Sequence, residues 1–212
     1  MTDGPSIPTP PRGGNKSLVN RVKDILMTPK TEWGVIDGEP ATIGGIYTGY
    51  VMILAAIGPL ASLIGQQVFG VYGWKPSITY SVSMAVIMYV LALVSVYVSS
   101  LVIDALAPSF GGTKDSVKAF KVAAYSATAA WVAGIFGIIP MLGILAIVGL
   151  YSLYLLYLGL PKLMRVSEDK AMGYTIVVIV VQLVLYFVCA WLVAMLVLSI
   201  AGPMMMAPVV AY

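Results

Sequence analysis

An all-α, polytopic membrane protein with five transmembrane helices is the fold class that this sequence predicts, on three observations. Five long runs contain no Asp, Glu, Lys or Arg: Ile43 to Ile64, Ile78 to Ile103, Val122 to Ile139, Met141 to Leu160 and Tyr174 to Ile200. At the α-helical rise each covers roughly 27 to 40 Å, against a hydrocarbon core of about 30 Å. Eleven of the twelve basic residues lie in alternate gaps between these runs. Composition agrees: 60% of residues are hydrophobic, 10% are charged and the mean hydropathy is +0.96, far from the averages of soluble domains.

Residues 1–16 read as a disordered cytoplasmic tail, because a stretch rich in proline and glycine cannot bury enough apolar surface to order itself. Residues 17–42 read as an amphipathic helix and a linker. Leu18, Val22, Ile25 and Leu26 recur at helical spacing, Ser17 can cap the start, and Pro29 follows the end. With Arg21 and Lys23 on the polar side, this helix is expected in the headgroup layer, with Trp33 and Ile36 anchoring at the same depth. Docking against the bundle is the alternative. No apolar stretch of signal-peptide type precedes the first run, which is expected to act as its own insertion signal.

Residues 43–200 form the five-helix domain. Pro59, after Gly58, predicts a kink in the first span, and Gly45 and Gly49 form a small-residue pair suited to an internal contact or to a homo-oligomer. In the third span Ser126, Ala130 and Gly134 recur every four residues, a stripe that lets helix backbones approach closely. Pro140 leaves almost no loop between the third and fourth spans, so these two form a tight helical hairpin. Tyr151, Tyr154 and Tyr157 share one drifting face of the fourth span, which either lines a polar groove or packs on neighbouring helices. Gln182, in the last span, is the intramembrane side chain that most needs a partner. Residues 201–212 read as a short non-cytoplasmic tail.

Orientation follows from the basic residues. The amino-terminal segment carries Arg12, Lys16, Arg21, Lys23 and Lys30; the second gap carries Lys114, Lys118 and Lys121; the fourth carries Lys162, Arg165 and Lys170. The opposite side has Lys75, so the amino terminus is expected in the cytoplasm. Asp104, at the cytoplasmic end of the second helix, opposes the helix dipole, and pairing with Lys118 or Lys121 is expected to offset this.

Catalysis finds little support in the residue inventory, and no cofactor or metal site is expected. The chain has no histidine and one cysteine, Cys189, which lies inside the last span. That removes serine–histidine chemistry, histidine-ligated haem and multi-cysteine metal sites. No buried carboxylate pair or glycine-rich phosphate loop is present. The net charge of +3 sits almost wholly at one end, which suits anionic lipid rather than nucleic acid.

Several motifs then carry a resemblance: R-V-K-D-I-L-M-T-P-K-T-E-W from Arg21 to Trp33, F-G-G from Phe110, A-F-K-V-A-A-Y-S-A-T from Ala119, I-I-P-x-L-G around Pro140, L-Y-S-L-Y-L-L-Y-L-G-L-P from Leu150, and E-D-K-A-M-G-Y from Glu168. The chain resembles the prokaryotic branch of the Yip family, five-span membrane proteins named for interacting with Rab-type GTPases in eukaryotes. The resemblance implies the same topology and a bacterial inner membrane. Two departures stand out: Ala129 and Ala130 replace an expected proline, so the family kink in the third span is expected to be missing, and the Asp-Leu-Tyr-Gly-Pro motif of the eukaryotic branch is absent. The expected function is a non-catalytic organiser that binds membrane lipids, other membrane proteins or itself. The alternative is a transporter of a small solute, ion or lipid, which requires the tyrosines and Gln182 to converge on one cavity.

Overall fold

A computed structural model describes residues 16–71 and 75–205; the expected tail over residues 1–15 and the end of the expected tail over 206–212 lie outside the described residues. Two short helices, α1 (Leu18–Met27) and α2 (Pro29–Gly38), precede five longer ones. These are α3 (Ile43–Phe69), α4 (Ile78–Leu106), α5 (Ser116–Ile138), α6 (Tyr151–Met164) and α7 (Glu168–Met205). Five helices are long and apolar enough to cross a membrane.

Capping follows the sequence. Ser17, Thr42, Ser77 and Asp115 each accept a hydrogen bond from the backbone N–H three residues on, satisfying a donor that the first helical turn leaves free. Pro29 opens α2 at the one place where a missing N–H costs nothing.

The break in α3 lies upstream of Pro59. Tyr47–Val51 form a π-helical turn, and the helix is interrupted at Ala56, whose N–H bonds Leu54 O. Pro59 then sits in the first turn of the resumed helix, where it is tolerated. The interruption releases Met52 O, which accepts a bond from the Tyr89 hydroxyl of α4 at 3.0 Å. A side chain from the neighbouring span thus completes the irregular backbone, as a membrane interior requires.

The third span breaks without a proline, contrary to expectation. Helical structure stops at Ser126 and resumes at Thr128, and Ala130 N–H donates to Ser152 Oγ of α6 at 2.9 Å. The hairpin predicted at Pro140 is present: α5 ends in a 3₁₀ turn over Gly134–Ile138, Ile139 is extended, and a second 3₁₀ segment runs over Pro140–Leu150. Eleven residues of 3₁₀ helix are unusual, and at its steeper rise they cover about 22 Å. Gly143, Ala146, Gly149 and Ser152 recur every three residues, the 3₁₀ period, and Gly149 meets Ala130, where a Cβ would stand 3.3 Å from the Ala130 Cα.

The small-residue stripe of α5 serves two neighbours. Ala130 faces the 3₁₀ segment, while Gly134 crosses Gly58 of α3 so closely that a Cβ on Gly134 would lie 2.8 Å from the Gly58 Cα. The Gly45 and Gly49 pair does not make the expected internal contact. Both glycines are exposed, and a Cβ on Gly49 would meet nothing within 4 Å.

Candidate functional site

The two short helices dock on the basic end of the bundle, and their junction with α3, α5 and α6 is where the buried charge of the protein collects. The amphipathic pattern of α1 forms as predicted, but its apolar face turns inward. Ile25 is fully buried and Leu18, Val22 and Leu26 pack against the core. Tyr151 of α6 fastens this contact, its hydroxyl donating to Leu26 O at 3.1 Å. Trp33 and Ile36, expected as headgroup anchors, are core residues with 1% and 0% exposure. Trp33 lies against Gly159, where a Cβ would stand 2.7 Å from the indole ring. The tryptophan that closes the first motif therefore needs the glycine of L-G-L-P.

Arg21, expected in the headgroup layer, is 5% exposed. Its guanidinium pairs with Glu32 and Glu39 and lies over the Tyr125 ring, 5.5 Å from the centroid. Burial opposes its charge, but Glu39 and Glu32 outweigh burial and hold its pKa above the ordinary arginine value. Beside it, Lys16 bridges Asp24 at 2.8 Å and Glu32 at 2.7 Å. Those bonds raise the Lys16 pKa, and the Lys16 ammonium holds Asp24 below the usual carboxylate range.

Lys118 and Lys121 do not pair with Asp104. Lys121 donates to Ile36 O at 2.7 Å and Glu39 O at 2.5 Å, covering the carbonyl end of α2 where a cation is favoured. Lys118 pairs with Asp37 at 2.9 Å, as does Arg165 at 2.8 Å. Asp104 instead accepts Asp115 N–H at 2.8 Å, tying the end of α4 to the cap of α5. Sequence reasoning missed Glu32, Asp37 and Glu39. The available signal was their density, because residues 24–39 hold four of the nine acidic residues of the chain.

The remaining polar residues pair in separate helix contacts. Tyr50 and Thr128 hydroxyls lie 2.7 Å apart, and Tyr174 donates to Ile103 O at 2.5 Å. Phe110 stacks on Tyr174 at 5.0 Å, and Gly111, at φ 74°, makes the left-handed turn that follows it. Thus the F-G-G and E-D-K-A-M-G-Y motifs meet at one corner.

Gln182 accepts Ser99 Oγ–H at 2.8 Å and lines a cavity of about 220 Å³ with Ser95, Ser126 and Ser152. Tyr151, Tyr154 and Tyr157 do not join it: Tyr151 reaches α1, and Tyr154 and Tyr157 are 39% and 37% exposed on the outer surface.

A larger cavity, about 550 Å³, opens between the start of α1 and the start of α3. Lys16, Arg21, Glu39 and Thr42 form its polar part, and Gly45, Ile46, Gly49 and Tyr50 continue it along α3. Among the described residues no group of three or more acidic or cysteine side chains is placed to hold a metal.

No curated protein and no solved structure matches the chain. The Yip1 domain matches residues 23–192, from within α1 to the last span, and so takes in the docked helices together with the bundle. With five membrane-spanning helices beneath that match, the chain belongs to the Yip1 domain family and is an integral, multi-pass membrane protein.

Proposed function

We propose that this protein is a non-catalytic organiser of the membrane, which presents a basic, pre-formed platform to anionic lipid and to other membrane proteins. The observation that carries this reading is the division of labour among the cations at one end of the bundle. Lys16, Arg21, Lys118, Lys121 and Arg165 are engaged in holding α1 and α2 in place. Lys23, Lys30, Lys114, Lys162 and Lys170 are exposed around them. The first group builds the platform and the second gives its outer surface a positive field, worth about 1 kcal/mol per lysine near an anionic leaflet.

On this reading the basic end faces the cytoplasm, which the distribution of basic residues supports, and the membrane is the inner membrane of a bacterium, which the resemblance to prokaryotic relatives supports. Transport fits less well. The tyrosine face and Gln182 lie apart, and the polar groups within the bundle are spent on pairwise helix contacts.

Affinity purification from native membranes in mild detergent tests the proposal. The platform reading expects a stoichiometric protein partner or enriched anionic lipid, both lost in a Lys23→Glu, Lys30→Glu, Lys114→Glu variant that still unfolds at the wild-type temperature. A solitary protein with no enriched lipid, or a variant that captures as the wild type does, counts against it.

A further inference from the structure

We propose that the cavity between α1 and α3 holds one anionic phospholipid, with its phosphate against Lys16 and the Tyr125 hydroxyl and one acyl chain along Gly45 and Gly49. The inference rests on the platform reading and gives it a defined lipid site. At about 550 Å³ the cavity falls in the range of small-molecule sites, and its lining passes from charged to apolar along its length.

Tyr125 is the lining residue whose chemistry the fold leaves unused. It is 8% exposed and its ring is held among Trp33, Tyr50 and Arg21, yet among the described residues its hydroxyl makes no hydrogen bond. The buried Tyr50 and Tyr174 each have one, with Thr128 and with Ile103 O. Glu39 Oε1 is buried out of reach, whereas the Tyr125 oxygen keeps accessible surface on the cavity. A buried hydroxyl of this kind calls for a partner.

The charges beside it select an anion. Lys16 gives N–H groups to Asp24 and Glu32, and its side chain is still 30% exposed, so the third ammonium N–H is available. Arg21 adds a second positive charge to the lining, and Glu39, the carboxylate there, is paired with it. Asp24 and Glu32 stand outside the lining, and Lys23 lies close enough to Asp24 to offset its charge. A phosphate diester carries the charge and the oxygens that a lysine N–H and a tyrosine O–H can share. The ammonium of a zwitterionic headgroup would meet only cations and a carboxylate already spent.

Tyr125 lies four residues beyond Lys121, the last charged residue of α5, and so about 6 Å into the span, where a headgroup gives way to its acyl chains. From that depth Gly45 and Gly49 continue the cavity along α3 without side chains, and space remains open where the Gly49 Cβ would stand. Glycines packed against a neighbouring helix would show contacts at that point, as Gly134 does with Gly58.

The test uses the full-length protein, stripped of lipid in detergent and then offered equal amounts of phosphatidylglycerol, phosphatidylethanolamine and phosphatidylcholine with matched chains. Native mass spectrometry reads what is retained. The proposal expects one phosphatidylglycerol per chain, held about fivefold over either zwitterionic competitor, the worth of one lysine beside an anionic headgroup. Inorganic phosphate or soluble glycerophosphoglycerol should not displace it; displacement would assign the cavity to a free anion and overturn the acyl trough.

Tyr125→Phe keeps the ring and removes the unpartnered hydroxyl. It should lower retention about tenfold, the worth of one hydrogen bond to a charged group, and leave the unfolding temperature of the stripped protein unchanged, because no protein contact is lost. Gly49→Leu fills the trough without a clash and should abolish retention, whereas Gly44→Leu, equally free of neighbours and outside the cavity, should not. Retention indifferent to headgroup charge, or unchanged in Tyr125→Phe or Gly49→Leu, overturns the site. A wild-type dimer that Gly49→Leu converts to a monomer assigns the trough to a second copy and likewise overturns it. If both variants keep the lipid while Lys23→Glu, Lys30→Glu, Lys114→Glu loses it, the platform reading stands and the site fails. Lipid kept by that triple variant but lost in Tyr125→Phe and Gly49→Leu upholds the site and counts against the platform.

Discussion

The third and fifth spans both qualify as membrane-crossing helices, yet protein surrounds one and not the other. The most apolar stretch of the third, Ser116–Ile138, is 61% buried with a mean hydropathy of 1.3; that of the fifth, Glu168–Trp191, is 17% buried with 2.3. The more hydrophobic helix is the peripheral one. In lipid, apolar side chains gain nothing by facing inward, so the central helix is marked by small and polar residues that allow close approach and hydrogen bonding. The third span has both, in Ala130, Gly134, Ser126 and Thr128, and it also meets the docked helices through Tyr125 and Lys121.

If centrality sets energetic weight, substitutions should sort by distance from that junction. The largest effect is expected for Arg21→Ala, which leaves the largely buried Glu39 without its ion-pair partner and Glu32 with Lys16 alone, and should cost about 3–5 kcal/mol in thermal or denaturant unfolding. Gly159→Val comes next. It forces a methyl group into the Trp33 ring and should cost about 1–3 kcal/mol, with loss of the indole's buried fluorescence.

Tyr50→Phe removes one buried hydroxyl pair with Thr128 and should cost about 1 kcal/mol. At the periphery, Gln182→Leu should change stability by no more than about 0.6 kcal/mol, the mean worth of a hydrogen bond between membrane helices. An effect from Gln182→Leu as large as that of Arg21→Ala would break the comparison.

The smallest effect is a pH dependence at the start of α1. Asp24 has a depressed pKa, so its contribution is complete above the unfolded value of about 3.9 and fades as pH falls through its folded value. Lys16 has a raised pKa, so its contribution is complete below about 10.4 and fades as pH rises through its own. Stability measured across pH should therefore be level from about pH 5 to about 9 as far as this pair is concerned, with a loss at either extreme that Lys16→Met removes.

Much of this fold was legible in sequence because membrane insertion depends on long-range features: run length, absence of charge and the alternation of basic gaps. The Pro140 hairpin was legible for a local reason, there being no residues left for a loop. The details that failed depend on contacts between distant segments. Pro59 marks a disturbance in α3, but the break falls at Ala56, where Tyr89 can reach the freed carbonyl. Ala129 and Ala130 gave no sign of a break, because the group that captures Ala130 N–H is Ser152, more than twenty residues away.

Arg21 and Trp33 were misplaced for a related reason. An amphipathic helix beside a membrane has two apolar surfaces available, and helical periodicity is the same for both. The acidic residues at 32, 37 and 39 decide in favour of the bundle, since headgroup water would have satisfied Arg21 without them. Lys121, read as a partner for Asp104, is used on the carbonyl end of α2 by the same docking.

Hydrogen exchange of the full-length protein in lipid nanodiscs tests that docking most directly. Amides from Arg21 to Ile36 should exchange as slowly as those of the third span, and Arg21→Ala should release them while leaving the third span protected. Fast exchange across Arg21 to Ile36 in the wild type, with the third span protected, would contradict a built junction and return α1 to the lipid surface.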